Sequence, residues 1–281
     1  MATCPFCCVQ IEEEAHFCTI CMKPLLEKEY IQAADCIKAY DFPCLQLDIT
    51  REAYVEEIFK SYRLINVLSN KNDSQALRLR HRILEKDLVL HSFSNHYAAY
   101  DALYPIRSPY LPEIYESVHL SDGQIVLEEY IDGMNVAQVM EVEQYTYKGA
   151  KKVLTAVCCA LSILHHRKIV HRDVKPENVL VTSNGRVVLI DFNASREIKE
   201  NSLDTVIMGT VGYASPEQMG ITQSDSRTDI YAAGVLLNVM LTGKHPSDVL
   251  VKRRPGRIVQ KCTQINPDLR YQNAMKLAKA L

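Results

Sequence analysis

Residues 171–178 read His-Arg-Asp-Val-Lys-Pro-Glu-Asn, and residues 191–193, a short distance downstream, read Asp-Phe-Asn. Apolar residues fill 179–181 and 187–190, with the turn Thr-Ser-Asn-Gly at 182–185 between them. This alternation of apolar runs and turn residues predicts a β-hairpin. A hairpin brings its ends together and therefore places the second aspartate beside the first motif. Two aspartates, a lysine and an asparagine so placed are the groups that position a phosphoryl group and neutralise its charge during transfer.

The segment before this motif predicts a long helix, from Lys148 to His166. Its apolar residues recur at the three- and four-residue spacing of a helix that buries one side; they are Val153, Leu154, Val157, Leu161 and Leu164. Cys158 and Cys159 lie in the same segment, and we expect buried thiols that pack rather than react. His165 and His166 are expected to end the helix rather than to bind a metal ion.

The spacing of 171–178 to 191–193 resembles the catalytic core of the protein kinase family. The resemblance covers about residues 62–281, and residues 209–217 resemble the end of a kinase activation segment. The expected fold is therefore α+β and two-lobed, with a small β-rich lobe at 61–131 and a large helical lobe at 132–281.

The resemblance implies roles for several residues of the large lobe. Asp173 is expected to accept or orient the proton of the attacking hydroxyl, and Lys175 to steady the transferred phosphoryl group. Asn178 and Asp191 are expected to bind magnesium. Asn193 stands where the family has glycine, and asparagine tolerates left-handed backbone angles better than most residues do.

Further residues of the large lobe match structural positions of the family. Glu217 is expected to pair with Arg270, whose planar guanidinium suits a bidentate contact with a carboxylate. Asp229 is expected to anchor the catalytic loop from a buried helix. Arg172 can bind a phosphate on the activation segment, where the candidate acceptors are Ser195, Ser202 and Thr205; these can equally be ordinary polar residues of a loop.

The small lobe has its predicted strands in the order typical of the family, but it lacks the family's usual nucleotide-binding residues. Its first three strands are predicted at 65–68, 76–80 and 87–90. The loop at 69–74, which would cover the nucleotide phosphates, contains no glycine, so its backbone amides approach less closely. By resemblance, His91 stands at the position of the family's phosphate-binding lysine.

The helical glutamate that normally pairs with that lysine falls near Ala99. Three other cations can replace the missing lysine: Lys71 in the loop, Arg78 on the second strand, and Lys86 if the alignment shifts. His91 itself is charged at neutral pH only if its pKa is raised. Glu128, which the family pattern places deep beside the third strand, can form the pair that raises it; the alternative is that both residues face solvent. Glu129, the next residue, is expected among the nucleotide contacts.

The first residues of the chain suggest a separate metal site. Cys4 with Cys7, and Cys18 with Cys21, form two C-x-x-C pairs, which together supply the four thiolates of a closed tetrahedral zinc site. Residues 1–26 are therefore expected to form a small zinc ribbon, for which disulfides or incidental thiols are the alternatives. Cys8 is a spare thiol or an alternative ligand. The acidic residues 12–14 favour a structural or protein-contact role over nucleic-acid binding.

Between ribbon and small lobe, residues 27–60 are expected to form a linker with short helices. One helix is predicted at 48–60, capped by Thr50, with Ala53, Val55 and Ile58 or Phe59 on its inward side.

Composition excludes several classes of protein. The 281 residues are 47% apolar and 23% charged, with a formal net charge of −2, which is typical of a globular protein and leaves no large basic surface for nucleic acid. No apolar run is long enough to span a membrane, and the first residues do not resemble a signal peptide. We therefore expect a cytoplasmic chain with ATP and protein as its partners.

The resemblance implies a serine/threonine protein kinase that uses ATP and magnesium, because Lys175 and Thr210 are features of that branch of the family. The alternative is a pseudokinase or nucleotide-binding scaffold, which His91, Ala99 and the glycine-free loop favour. A nucleic-acid adaptor built on the ribbon has little charge to support it.

Overall fold

In the computed structural model, strands dominate the first half of the chain and helices the second. The structure describes residues 2–3, 10–11, 45–47, 49–71, 73–197, 212–219 and 224–281. The strands are β1 Ala2–Thr3, β2 Gln10–Ile11, β3 Leu45–Leu47, β4 Tyr62–Lys71, β5 Ser74–His81, β6 Asp87–Phe93, β7 Ile114–Leu120, β8 Gly123–Glu129, β9 Gly133–Asn135, β10 Ile169–Val170, β11 Val179–Thr182, β12 Val187–Leu189 and β13 Arg196–Glu197. The helices are α1 Arg51–Ser61, α2 Ala98–Leu103, α3 Val136–Val142, α4 Tyr147–His166, α5 Ser226–Thr242, α6 Arg253–Cys262 and α7 Ala274–Ala280.

Six strands form the sheet of the small lobe, in the order β3-β7-β8-β6-β5-β4. β3 runs parallel to β7, and every other neighbouring pair is antiparallel. The three strands predicted from the sequence lie inside β4, β5 and β6 and are confirmed.

The two faces of this sheet have different neighbours because successive side chains of a strand point to opposite sides. On β6, Leu88 and Leu90 join an apolar cluster that also receives side chains of α1. Val89, His91 and Phe93 lie on the other face, where Val89 and His91 line a cavity and Phe93 joins the core of the large lobe. The period of the strand thus directs His91 toward the large lobe.

Helix α1 closes the outer face of the sheet. The Thr50 hydroxyl accepts a hydrogen bond from the Ala53 amide at 3.3 Å, as the predicted cap requires. Val55, Ile58 and Phe59 pack on the sheet as predicted, whereas Ala53 is exposed and Tyr54 packs in its place. Both β3 and α1 come from the segment predicted as a linker, so the small lobe includes part of that segment.

Helix α4 forms the centre of the large lobe and agrees with the prediction for Lys148 to His166. All five predicted apolar residues are at most 3% exposed, and Cys158 and Cys159 are buried as expected. Burial raises the pKa of the Cys158 thiol well above its ordinary value, which keeps this thiol in its unreactive protonated form. Helices α5, α6 and α7 contribute buried side chains to the same core.

The predicted pair of Glu217 and Arg270 is present. The two Nη atoms of Arg270 donate to the two carboxylate oxygens of Glu217 at 2.6 and 2.9 Å, and both side chains are buried. Burial opposes ionisation of Glu217, but the bonds from Arg270 outweigh it and hold the pKa of Glu217 below its ordinary value.

Among the described helices, none is long and apolar enough to cross a membrane.

Candidate active site

The loop that carries residues 171–178 is fixed by Asp229, a fully buried residue of α5. Its carboxylate accepts hydrogen bonds from the backbone amides of His171 and Arg172 at 2.9 and 2.8 Å. His165 Nε2, near the end of α4, lies 2.8 Å from the same carboxylate. Burial opposes ionisation of Asp229, yet these contacts hold its pKa below the ordinary value. The predicted anchor is confirmed, and His165, predicted only to help end the helix, contributes to it.

Asp173, Lys175 and Asn178 are in direct contact. The Asn178 amide nitrogen donates to the Asp173 carbonyl at 2.8 Å and to its carboxylate Oδ2 at 3.0 Å. Lys175 Nζ lies 2.7 Å from the same Oδ2. The aspartate is thereby held by two donors, and the Asn178 amide oxygen is the atom that can serve a metal ion.

The predicted hairpin of β11 and β12 places Asp191 beside this group. The two strands pair antiparallel, and the Ile190 amide donates to the Asn178 carbonyl at 2.9 Å. Asp191 has a positive φ of 64°, so the left-handed residue is Asp191 and not Asn193. The backbone amide of Asn193 donates to Asp191 Oδ1 at 3.2 Å, which fixes the carboxylate in this backbone conformation.

A cavity of about 450 Å³ separates the sheet from the large lobe. Apolar side chains line one part of it, among them Val89, Ile131, Leu180 and Ile190. Polar and charged side chains line the rest, and these include Lys71, His91, Glu128, Glu177 and Asp191. A cavity with apolar walls and a few convergent polar groups is typical of a small-molecule site.

His91 and Glu128 form the pair that the sequence suggested. His91 Nε2 lies 2.8 Å from Glu128 Oε1, with the two side chains only 12% and 8% exposed. The alternative, that both face solvent, is therefore wrong. Burial opposes protonation of His91, but the Glu128 carboxylate outweighs it and Asp191 adds to the effect, so the pKa of His91 is raised. The cavity thus has on β6 a buried imidazole whose charged form is favoured by Glu128.

Two of the three alternative cations, Arg78 and Lys86, contact other side chains instead of lining the cavity. Arg78 donates through Nε to Asp87 Oδ2 at 2.8 Å and lies over the Tyr130 ring. Lys86 Nζ lies 4.6 Å from the centre of the Tyr115 ring, which packs on the outer face of the sheet. Of the three alternatives, only Lys71 lines the cavity.

Within the described part of the chain, helix α2 supplies no carboxylate to His91. Ala99 stands on this helix and is buried. Asp101, the acidic residue of α2, accepts a hydrogen bond from Ser117 at 2.6 Å and lies 3.0 Å from His119. The α2 side chain that approaches His91 is Tyr100, with 5.8 Å between the ring centres.

Glu129 lines the cavity, but its carboxylate is engaged by Arg186, whose Nη2 lies 2.9 Å from Oε2. Residues that were not predicted also line the cavity, and among them are Glu177, Tyr130 and Gln138. Glu177 could have been found, because it belongs to the 171–178 motif. Gln138 belongs to no such motif. It reaches the cavity because of the way α3 begins after β9, which the sequence does not indicate.

The described residues fit magnesium as a partner of a bound nucleotide. A carboxylate on Asp191 and an amide oxygen on Asn178 are the hard oxygen ligands that magnesium prefers. Within the described ranges, no group of three or more His, Cys, Asp or Glu side chains is arranged to hold a metal ion by itself. Phosphate oxygens and water would therefore complete the coordination. The predicted zinc ligands, Cys4, Cys7, Cys18 and Cys21, lie outside the described residues.

Comparison with known proteins agrees with this geometry. The chain is 33% identical over 150 residues to a probable serine/threonine-protein kinase, PknB, of Lactococcus lactis, which covers 52% of this chain and 24% of that protein. It is 32% identical over 180 residues to the serine/threonine-protein kinase PknB of Mycobacterium tuberculosis, covering 54% of this chain and 29% of the relative. It is 27% identical over 177 residues to the SNF1-like protein kinase ssp2 of Schizosaccharomyces pombe, covering 63% and 31%.

The matched regions thus span less than a third of each of these relatives. The protein kinase domain family matches residues 71–279, which include the sheet from β5 onward, the catalytic loop and the large lobe. The chain belongs to the protein kinase domain family.

Proposed function

We propose that the chain transfers the γ-phosphoryl group of ATP to serine or threonine hydroxyls of proteins. The observation that carries this proposal is the contact of Asp173 with both Lys175 and Asn178, beside the backbone that presents Asp191. A carboxylate held in this way can orient a substrate hydroxyl and receive its proton. Lys175 is a cation at the place where negative charge accumulates on the transferred group.

Asn178 and Asp191 are proposed to hold magnesium. When bound, magnesium neutralises the charge of the phosphate oxygens and orients them. The chain's own contribution is rigidity. Asn178 is fixed by Asp173, and Asp191 by the Asn193 amide.

His91 is proposed as the cation that binds the nucleotide phosphates in place of a lysine. It lies on the cavity face of β6 and is held by Glu128, so its charge does not depend on a residue of α2. Lys71, at the end of β4, is a second candidate from the glycine-free loop. Glu129 is proposed to contact the nucleotide through its backbone, because its carboxylate binds Arg186.

The test is transfer of label from γ-labelled ATP in the presence of magnesium, to the chain itself and to a generic basic protein. We expect transfer, and we expect Asp173→Asn to lower it by roughly 10²- to 10⁴-fold because the proton acceptor is lost. The variant should still shift its melting temperature with ATP. A natural chain that binds ATP yet transfers no more label than the Asp173→Asn variant would instead be a pseudokinase.

The choice of serine or threonine as acceptor is part of the proposal. Lys175 supports it, and the two PknB relatives are named as serine/threonine kinases. Thr210, the second residue on which it depends, lies outside the described residues. Phosphoamino-acid analysis of the labelled product tests it, and phosphotyrosine would contradict it.

Regulation by phosphorylation of the activation segment is a further proposal. Arg172 is buried, and burial together with the charge of Arg196 lowers its pKa. A phosphate placed between these two cations would relieve their repulsion. Ser195 is the less suitable acceptor, because its hydroxyl donates to the His171 carbonyl at 3.4 Å. Ser202 and Thr205 lie outside the described residues, and mass spectrometry of the labelled chain would identify the acceptor.

We also propose that residues 1–26 bind one zinc ion through Cys4, Cys7, Cys18 and Cys21. The support is the spacing of the two C-x-x-C pairs. Because this segment is too short to bury a core of its own, metal binding would supply most of its folding free energy.

A further inference from the structure

Tyr100 belongs to neither the catalytic loop nor the predicted nucleotide contacts, yet it touches several parts of the site. It is a fully buried residue of α2. Its hydroxyl donates to Asn193 Oδ1 at 3.0 Å. A side chain of α2 therefore binds Asn193, which lies two residues after Asp191.

The Tyr100 ring reinforces this connection. It meets the Phe192 ring edge-on, with 5.6 Å between centres, and approaches Phe93 on β6 at 5.4 Å. The His91 ring lies 5.8 Å away. Since Phe192 also meets His171 edge-on at 5.5 Å, the aromatic contacts run from β6 through α2 to the catalytic loop.

These contacts account for two departures from the family pattern at once. Ala99 cannot form an ion pair, and the partner of His91 is Glu128 on the neighbouring strand of the same sheet. The His91 pair therefore does not tie α2 to the sheet. Among the described contacts, the polar link from α2 to the nucleotide site is the Tyr100 hydroxyl. Asn193 supplies its acceptor, which the glycine usual at this position does not have.

Loss of the hydrogen bond between Tyr100 and Asn193 would destabilise this part of the protein. A buried hydroxyl or amide that loses its partner keeps the cost of desolvation without compensation. The hydrogen bond thereby holds the Asn193 side chain against α2, and the edge-on ring contact holds Phe192. Asp191, which depends on the Asn193 amide for its own orientation, is held with them.

We propose that Tyr100 is a positioning residue, which through Asn193 and Phe192 holds Asp191 in the orientation that takes the magnesium ion of a bound nucleotide. This role rests on the proposed kinase function and deepens it. Tyr100 touches no reacting atom; it acts through the segment 191–193. In this chain it replaces an ion pair between helix and sheet by a neutral hydrogen bond.

The test compares four variants: Tyr100→Phe, Asn193→Gly, the double variant, and Tyr145→Phe as control. Tyr145 is matched to Tyr100, because it also packs against the large-lobe core, but its hydroxyl has no hydrogen-bond partner among the described residues. ATP affinity is measured for each by titration calorimetry, once with magnesium and once with EDTA. This readout requires no phosphoryl transfer.

We expect Tyr100→Phe and Asn193→Gly each to weaken ATP binding by roughly three- to tenfold with magnesium, the loss of one buried hydrogen bond. In EDTA their affinity should equal that of the natural chain. The double variant should be no weaker than the worse single variant, because both remove the same bond. Tyr145→Phe should bind ATP unchanged in both buffers.

Equal weakening with magnesium and with EDTA would overturn the proposal, because Tyr100 would then merely support the cavity. Additive effects in the double variant, or affinities that do not change, would overturn it too. The proposed kinase function is tested separately, by the transfer of label from ATP. If the natural chain binds ATP with magnesium but transfers no label, the function fails, while the magnesium-specific loss in Tyr100→Phe still supports the positioning role.

Discussion

His91 shows what one substitution does to the charge distribution of a buried site. A lysine keeps its charge over the whole physiological range, whereas an imidazole is charged only when its neighbours favour the charged form. Here the neighbour is Glu128, 2.8 Å away on the adjacent strand. Other charged groups of the cavity are Lys71, Glu129, Glu177 and Asp191. The pair can form because β6 and β8 are adjacent, with His91 opposite Val126 in the antiparallel register.

At the scale of this residue, we expect His91→Ala to weaken ATP binding in magnesium by roughly ten- to a hundredfold, the loss of a charge-assisted contact. His91→Lys should retain most of the affinity, because lysine is also a cation that Glu128 can hold. Calorimetric titration measures both. The control is His119→Ala, a histidine that also contacts a carboxylate, that of Asp101, but does not line the cavity. Unchanged binding in His91→Ala would assign the phosphate contact to Lys71.

At the scale of elements, the buried ion pair of Glu217 and Arg270 connects the 3₁₀ turn Pro216–Met219 to the C-terminal part of the large lobe. Arg270 follows the 3₁₀ turn Pro267–Leu269, and its guanidinium also donates to the carbonyls of Gln264, Arg227 and Ile265. Glu217 accepts from Thr228 at 3.0 Å in addition. A buried pair with this many contacts is costly to break, because the remaining partner stays charged and buried.

We therefore expect Glu217→Gln to lower the free energy of unfolding at pH 7 by about 3–5 kcal/mol. The pKa of Glu217 is lower in the folded chain than in the unfolded chain. Its contribution is therefore present above its ordinary pKa and is lost as the pH falls through the folded-state pKa. The difference between the two proteins should shrink in acid, and urea unfolding at a series of pH values measures it.

The control for that experiment is Glu57→Gln, which removes an exposed ion pair with Lys60. Exposed pairs contribute little to stability, so this variant should unfold like the natural chain at every pH. A Glu217→Gln variant with the same behaviour would show that the pair contributes no net stability.

At the scale of the whole molecule, the main core does not stop at the boundary between lobes. One apolar cluster includes Phe93 and Val126 of the sheet, Tyr100 of α2 and the helices of the large lobe. A second cluster lies on the outer face of the sheet, under α1. The lobes thus share packing on the side where α2 lies, and the cavity occupies the remaining space between them.

The proposed zinc ligands are the four cysteines of the two C-x-x-C pairs within residues 1–26, and they lie outside the described residues. We expect about one zinc ion per chain by elemental analysis, and its loss in Cys7→Ser or Cys21→Ser. Cys158→Ser, in the buried face of α4, should keep the zinc. Cys8→Ser should keep the zinc if Cys8 is a spare thiol and lose it if Cys8 is a ligand. A zinc content near zero in the natural chain would contradict the ribbon.

Several elements can be predicted from signals that are local in the chain. The periodicity of Lys148 to His166 predicted α4, and alternation and turn spacing predicted β4, β5 and β6. The motif 171–178 predicted Asp173, Lys175 and Asn178 as site residues, and all three lie within six residues of one another. Resemblance to the family predicted the long-range pairs Glu217–Arg270 and His91–Glu128, which no local pattern encodes.

Which of several suitable side chains reach the site depends on packing between distant parts of the chain. Lys71, Arg78 and Lys86 are equal candidates by charge, but the twist and register of the sheet direct Arg78 to Asp87 and Lys86 to Tyr115. The parallel pairing of β3 with β7 and the packing of α1 depend on surfaces distant in the sequence. Tyr100 and Asn193 lie 93 residues apart. Contacts of this kind form when helices and sheets pack, and a single sequence carries no periodic signal for them.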